Sequence, residues 1–88
     1  MKEQDIQSLI IKGLQARNYY VIKIMVASKA GVPDIIACSP TGRFIAIEVK
    51  CPGELLSKLQ EVNIRKIRKC QGISFIATSW KDVLNQIE

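Results

Sequence analysis

Residues 31–50 place Asp34, Glu48 and Lys50 among apolar strand patterns, and this stretch constrains the fold more than any other. It begins with Gly-Val-Pro-Asp, continues through a short apolar run and a Pro-Thr-Gly turn, and ends with Arg-Phe-Ile-Ala-Ile-Glu-Val-Lys. Side chains alternate across a strand, so Glu48 and Lys50 share one face. Asp34 precedes the first apolar run. Charged groups on a sheet face cost free energy unless they are paired or used in chemistry.

The turn at the centre of this stretch predicts a β-hairpin. Apolar strand patterns cover 34–39 and 43–50, and the Pro-Thr-Gly sequence between them is typical of a tight connection. Antiparallel pairing brings Asp34 to the end of the hairpin that holds Glu48 and Lys50. We therefore expect the three charged groups to lie together.

The remainder of the chain alternates between helical and strand periodicity. The other predicted elements are a helix over 2–18, a strand over 19–26, a loop over 27–32, a loop over 51–56, a helix from 57 to 70 or 71 that stops at Gly72, a strand over 73–78 and a helix over 80–88. The order is αβββαβα, which predicts an α/β fold with a mixed four-stranded sheet flanked by helices. With 88 residues and no linker or repeat, we expect one domain spanning 1–88.

The same periodicity predicts the buried side and the caps of each element. On the first helix the apolar stripe contains Ile6, Leu9, Ile10, Gly13 and Leu14. On the first strand the fully apolar face contains Tyr20, Ile22, Ile24 and Val26. On the second helix the buried side contains Leu56, Leu59, Val62, Ile67 and Cys70. Capping boxes are predicted for the pairs Ser57 with Gln60 and Ser79 with Asp82.

Residue usage narrows the chemistry that this chain can perform. It has no histidine, which excludes imidazole as a base or a metal ligand. Cys38, Cys51 and Cys70 form no Cys-x-x-Cys pair, so we expect free thiols, with Cys38 and Cys70 in or beside the core. Two adjacent carboxylates raise each other's pKa unless a cation lies between them. An oxygen-only site favours Mg²⁺ or Mn²⁺.

The charge balance favours a polyanionic partner. The chain carries a net charge of +5, and the second predicted helix concentrates Lys58, Arg65, Lys66, Arg68 and Lys69 against one acidic residue. The alternative is an ordinary solvated helix face. No apolar run approaches the roughly 20 residues of a membrane span and no signal-peptide pattern opens the chain, so we expect a cytoplasmic protein with no membrane partner.

Three motifs together resemble a known family. Gly31-Val32-Pro33-Asp34, then Glu48-Val49-Lys50, then Gln60 in the next helix resemble the VRR-NUC (virus-type replication-repair nuclease) domain of the PD-(D/E)XK nuclease superfamily. The resemblance covers nearly the whole chain and implies a restriction-endonuclease-like core.

The resemblance also implies roles for individual residues. Asp34 and Glu48 would bind the catalytic metal, Mg²⁺ or Mn²⁺, together with the backbone carbonyl of Val49, and Lys50 would be the catalytic lysine. Gln60 would lie at the site, and Glu3 would complete it as a catalytic acid and a further metal ligand. The last two residues also suit purely structural roles, because Gln60 fits a capping box and Glu3 suits the positive end of a helix dipole.

Stand-alone members of this family resemble phage enzymes that act as homodimers on branched DNA, including four-way (Holliday) junctions. This implies a metal-dependent DNA endonuclease that contacts phosphates through Lys29, Lys58 and the basic residues of 65–69. Ile11, Tyr19 and Met25 are candidates for the dimer interface. The alternatives are a nucleic-acid-binding module that keeps the fold without catalysis, and a metal-free structural partner.

Overall fold

The computed structural model describes all residues from 1 to 88 and contains the seven predicted elements in the predicted order. They are α1 (Glu3–Ala16), β1 (Tyr20–Lys23), β2 (Ile35–Cys38), β3 (Phe44–Val49), α2 (Lys58–Lys69), β4 (Ile73–Ala77) and α3 (Trp80–Ile87). The αβββαβα prediction is therefore confirmed, although most elements are shorter at their ends than the sequence pattern suggested. None of the helices combines the length and the apolar character needed to cross a bilayer.

One mixed sheet with strand order β1-β2-β3-β4 organises the molecule. β1, β2 and β3 pair antiparallel, and β4 joins β3 in parallel after the crossover through α2. In the β2–β3 hairpin Ile35 pairs with Ile47 and Cys38 pairs with Phe44. This register sets the beginning of β2 beside the end of β3, as the hairpin prediction requires.

The hydrophobic core lies between one face of the sheet and the pair α1 and α3. Strand residues at alternating positions point into it and meet apolar residues of both helices. The buried cluster contains Ile6, Ile10, Leu14, Ile35, Ala37, Ile45, Ile47, Val49, Phe75, Ala77 and Val83. α2 packs on the opposite face, against β3 and β4. The β1 and β2 half of that face therefore remains without a helix.

The buried stripe of α1 differs from the predicted one by a single position. Ile6, Ile10 and Leu14 are buried as predicted, but Leu9 is 48% exposed. Gln7 is buried in its place. A helical wheel admits either position at the edge of the apolar stripe, and packing against the sheet decides between them.

The prediction for β1 was wrong in both its length and its inward face. The strand ends at Lys23, and Met25 lies in the exposed loop that follows. Tyr19 and Val21 pack against the core, whereas Tyr20 and other side chains of the supposed inner face are exposed. Both faces of this segment are apolar, so a period of two cannot tell which face the helices cover.

The prediction for α2 was right about its start and wrong about its buried side. Ser57 and Gln60 form the capping box, since Gln60 N donates to Ser57 Oγ at 3.2 Å and Ser57 N donates to Gln60 Oε1 at 2.9 Å. The buried residues are Asn63 and Ile64, while Leu59 is exposed. Of the other predicted inward residues, Leu56, Val62 and Ile67 are half-buried and Cys70 is exposed. The face of α2 that packs against the sheet is therefore rotated by about one residue from the predicted face.

Two further local predictions needed correction. Ser79 caps α3 by accepting from Asp82 N at 3.1 Å, but the Asp82 carboxylate accepts from Thr78 N and Oγ1 instead of completing a capping box. At the end of α2 the residue with positive φ is Gln71, at 70°, one before the predicted stop. The three cysteines are free, but Cys38 and Cys70 are exposed, contrary to the expectation that both would lie in or beside the core.

Replacing Leu14 with alanine should lower the free energy of unfolding by about 2–5 kcal/mol, because it removes a fully buried side chain. The matched Leu9→Ala change on the same helix should cost about 1 kcal/mol or less, because roughly half of that side chain already meets water. Urea unfolding of both variants measures the difference. Equal losses would contradict the packing of α1.

Candidate active site

The hairpin brings the carboxylates of Asp34 and Glu48 side by side. Asp34 immediately precedes β2, and its Oδ2 accepts a hydrogen bond from Val49 N at 2.9 Å. Because this bond reaches the residue after Glu48, the two acids sit next to each other across the hairpin. Glu48 is 2% exposed and Asp34 is half-buried.

Glu48 occupies an electrostatically costly position. Its Oε1 is buried and has no hydrogen-bond partner, and its Oε2 lies 3.9 Å from Lys50 Nζ. Burial is the largest cause that raises the Glu48 pKa to about 8; a hydrogen bond to Asp34 and the charges of Asp34 and Glu3 add to it, while Lys50 lowers it. A buried carboxyl that lacks sufficient compensating charge holds its proton at neutral pH.

Glu3 lies at the flank of this pair, in the first turn of α1. Burial raises its pKa, and a hydrogen bond to Glu54 and the charges of Glu54 and Asp34 raise it further, while Lys50 lowers it. The carboxylate of Glu3 therefore shares an electrostatic environment with the hairpin acids. The structure brings Glu3, Asp34, Glu48 and Lys50 together.

A loop residue that the sequence analysis did not select, Glu54, joins this acidic region. Its Oε1 accepts from Cys51 N at 2.6 Å, and this backbone hydrogen bond is the main cause that lowers the Glu54 pKa. Ligand atoms of Glu3, Cys51 and Glu54 all lie within 4.8 Å of one another. Sequence periodicity could not have predicted the role of Glu54, because its position depends on the turn formed by the preceding Cys-Pro-Gly segment.

The first turns of α2 hold the loop that delivers Asp34. Gly31 has φ of +80°, and a Cβ there would lie 2.7 Å from the backbone carbon of Leu59, so only glycine fits. Asn63 Nδ2 donates to Ala30 O at 3.1 Å and to Leu59 O at 2.8 Å. Asn63 was also missed, although a polar residue inside an apolar helix seam is a usable signal.

Gln60 follows Leu59 in the same turn and is half-buried. The structure shows its capping role through the bond from Ser57 N. Its role at the carboxylates stays a prediction.

The predicted DNA-binding residues are exposed, but they do not form one patch. Lys29 and Lys66 line a groove of about 600 Å³ between α2 and the uncovered half of the sheet. Arg65 and Arg68 line a separate pocket of about 440 Å³ on the other side of α2. Arg68 also has a structural contact, because its Nε donates to Ser74 O at 2.8 Å. Lys58 and Lys69 are exposed at the two ends of the helix.

The structure is therefore an α/β domain with a mixed sheet that carries two carboxylates and a lysine at one end of a hairpin. A family model described as VRR-NUC domain matches residues 1–80, and the chain belongs to this family. It is therefore a nuclease, from a family whose members generally use divalent metals.

Solved structures agree with this assignment at the level of the fold. A structure described as a VRR_NUC domain is 24% identical, with a TM-score of 0.84, and the match covers 97% of this chain and 92% of that one. A second, described as a VRR_NUC domain protein, is 18% identical, with a TM-score of 0.79 and coverage of 97% and 84%. No curated protein sequence matches the chain.

Without metal, the Glu48 carboxyl should make the free energy of unfolding fall as pH rises from its ordinary pKa of 4.5 to about 8. In this range the unfolded chain has lost the Glu48 proton whereas the folded chain keeps it, so rising pH favours unfolding. Urea unfolding in EDTA near both ends of the range should show that Glu48→Gln gains stability relative to the parent as pH rises.

Glu61→Gln is the matched control, because Glu61 is an exposed acid on α2. It should show no such gain. Parallel pH profiles for Glu48→Gln and the parent would mean that Glu48 is ionised throughout in the folded protein.

Proposed function

We propose that this nuclease is a metal-dependent DNA endonuclease that hydrolyses phosphodiester bonds in branched DNA, including four-way junctions, as a homodimer. The observation that supports metal dependence most strongly is the Glu48 carboxylate, which is buried beside Asp34 with an unpartnered Oε1. A buried carboxylate pair is stable in its ionised form only with a cation nearby.

The donor set fits a hard divalent cation, Mg²⁺ or Mn²⁺. Asp34 and Glu48 supply carboxylate oxygens, and the Val49 carbonyl follows directly in the chain. Glu3 supplies a further carboxylate from α1. Oxygen donors are the ligands that these two ions prefer. Cation binding would replace the proton that burial holds on Glu48.

The neighbouring residues of the chain support phosphodiester hydrolysis. When bound, the cation would stabilise negative charge that grows on the phosphate oxygens. Val49 N–H holds the Asp34 carboxylate in one orientation. The Lys50 ammonium lies 3.9 Å from Glu48 Oε2, and the Lys50 side chain is 12% exposed. There it can orient the attacking water or stabilise charge in the transition state. Gln60 would contribute from the first turn of α2.

The basic residues suit recognition of DNA through phosphates and shape. Lys29 and Lys66 line the same groove, so these two are the better-supported phosphate contacts. Lys58, at the start of α2, would add a contact outside the groove. Arg65 and Lys69 would reach a second strand. Arg68 contributes less, because one of its donors is already used by β4.

A homodimer would supply two equivalent sites for two symmetric cuts. Tyr20 and Ile22 are exposed at 69% and 43% on the β1 edge of the sheet, in the half that α2 leaves uncovered. This face replaces Ile11 and Tyr19 as the proposed interface, because both of those pack against the core of their own chain. Met25, 78% exposed in the adjacent loop, remains a candidate.

We place the reaction inside a bacterial cell or a phage-infected one. The reason is that the proposed substrate of the enzyme is intracellular DNA. The three free cysteines also suit a reducing compartment.

Asp34→Ala, Glu48→Ala and Lys50→Ala should each slow cleavage of a labelled four-way junction by at least about a hundredfold, because each removes a group that binds the metal or stabilises charge. The assay contains Mg²⁺ or Mn²⁺, with linear duplex and single strand in parallel lanes. Preferential cutting of the junction supports junction resolution, and equal cutting of all three supports a general nuclease.

Glu61→Ala is the control for loss of an exposed acid and should cut at the parental rate. A parent that binds DNA without cutting it would favour the non-catalytic module instead. Sedimentation equilibrium of the parent should give the mass of two chains. A single-chain mass at assay concentration would contradict the homodimer.

Lys29→Ala and Lys66→Ala should each reduce the slope of log affinity against log salt by about 1, because each removes one phosphate contact. Fluorescence anisotropy with a labelled junction measures this slope. Lys81→Ala on α3, on the opposite side of the sheet, is the control and should leave the slope unchanged. Binding that is insensitive to salt would refute phosphate recognition by this groove.

A further inference from the structure

The groove of about 600 Å³ between α2 and the uncovered half of the sheet has an apolar floor. Val32 lines it from the loop before β2, Ile36 from β2 itself, and Ile67 from α2. All three residues are half-buried, so part of their apolar surface meets water. A partner that covers this floor would therefore gain free energy from its burial.

An exposed aromatic ring also lines this groove. Phe44 lies at the start of β3 and is 45% exposed. A Cβ on Gly72 would lie 3.2 Å from Phe44 Cδ2, so the ring packs against this glycine on one side. A ring that is both held in place and open to solvent offers a flat partner a surface for stacking.

The rim of the groove carries positive charge only. Lys29, Arg43 and Lys66 line it, all three are exposed, and no acidic residue is among the lining residues. None of the three forms an ion pair within the chain. Positive charge beside an apolar floor favours a partner that is anionic at one part and apolar at another. A nucleotide has this character, because its phosphate is charged and its base has a flat π-face.

We propose that this groove binds unpaired nucleotides of DNA, with a base stacked on Phe44 and phosphates held by Lys29, Arg43 and Lys66. The proposal adds Arg43 to the predicted DNA contacts. Duplex DNA would satisfy the three cations. Its bases, however, stay inside the stack and would leave the apolar floor uncovered. An unpaired nucleotide satisfies the cations and the floor together.

The groove lies beside the Asp34–Glu48 pair. Pro33, one of its lining residues, immediately precedes Asp34. Ile36 pairs with Ala46, two residues before Glu48, so Ile36 and Glu48 lie on the same face of the sheet. A single strand held in the groove would therefore pass next to the proposed metal site. The role of the groove in cleavage rests on the proposed function, whereas its binding of a single strand does not.

Fluorescence anisotropy with a short labelled oligothymidylate in EDTA tests the groove without cleavage. The parent should bind the oligonucleotide, and Phe44→Ala should weaken binding by about tenfold, because one stacked base loses its platform. Phe44→Tyr keeps an aromatic ring and should retain the parental affinity. Arg43→Ala should reduce the slope of log affinity against log salt by about 0.7, because it removes one phosphate contact to a single strand.

Leu9→Ala is the matched control and should bind as the parent does. Leu9 is 48% exposed, close to the exposure of Phe44, and it lies on α1, across the sheet from the groove. Circular dichroism verifies that each variant is folded.

Failure of the parent to bind the oligonucleotide would overturn the proposal. Parental affinity in Phe44→Ala would also overturn it, even with a reduced salt slope in Arg43→Ala, because the groove would then hold phosphates alone. A change from two chains to one in sedimentation of Phe44→Ala would assign the groove to a second copy instead. Junction cleavage by a parent that does not bind the oligonucleotide would refute the groove alone. Binding that depends on Phe44 without any metal-dependent cleavage would refute the proposed endonuclease alone.

Discussion

The hydrogen bond from Val49 N to Asp34 Oδ2 is the contact on which the geometry of the site depends. It closes the open end of the hairpin and places a second carboxylate against Glu48, which is already buried. Without a cation this arrangement is unfavourable, and Glu48 holds a proton with a pKa of about 8. The sheet around the pair supplies the rigidity that keeps the two carboxyl groups close. The site thus lowers the stability of the metal-free protein, and the arrangement becomes favourable when a cation binds.

The two helices that flank the site have different tasks. α2 fastens the Gly31 loop through Asn63 and thereby fixes the direction in which Asp34 enters the sheet. α1 contributes Glu3 and places it against the loop that carries Glu54. Both helices begin near the functional end of the hairpin. Two flanking helices that are far apart in sequence therefore both support the Asp34–Glu48 site.

Local signals in the sequence predicted much of this architecture. The Pro-Thr-Gly turn and the period of two were sufficient to place Asp34 beside Glu48, because hairpin register follows from turn position and strand pattern. The cap formed by Ser57 and Gln60 depends on residues three apart and was equally accessible. By contrast, the inward faces of β1 and α2 were predicted wrongly. Both elements are apolar on more than one side, and tertiary packing decides which side is buried.

The positions of Cys51 and Glu54 beside Glu3 could not be predicted from periodicity, because these residues meet only when the loop after β3 folds against α1. The central claim is that Asp34 and Glu48 hold a divalent cation. The most direct measurement is an anomalous difference map from crystals of the protein grown with Mn²⁺. We predict a peak in contact with both carboxylates and the Val49 carbonyl. Ordered Asp34 and Glu48 side chains with no peak between them would contradict the account.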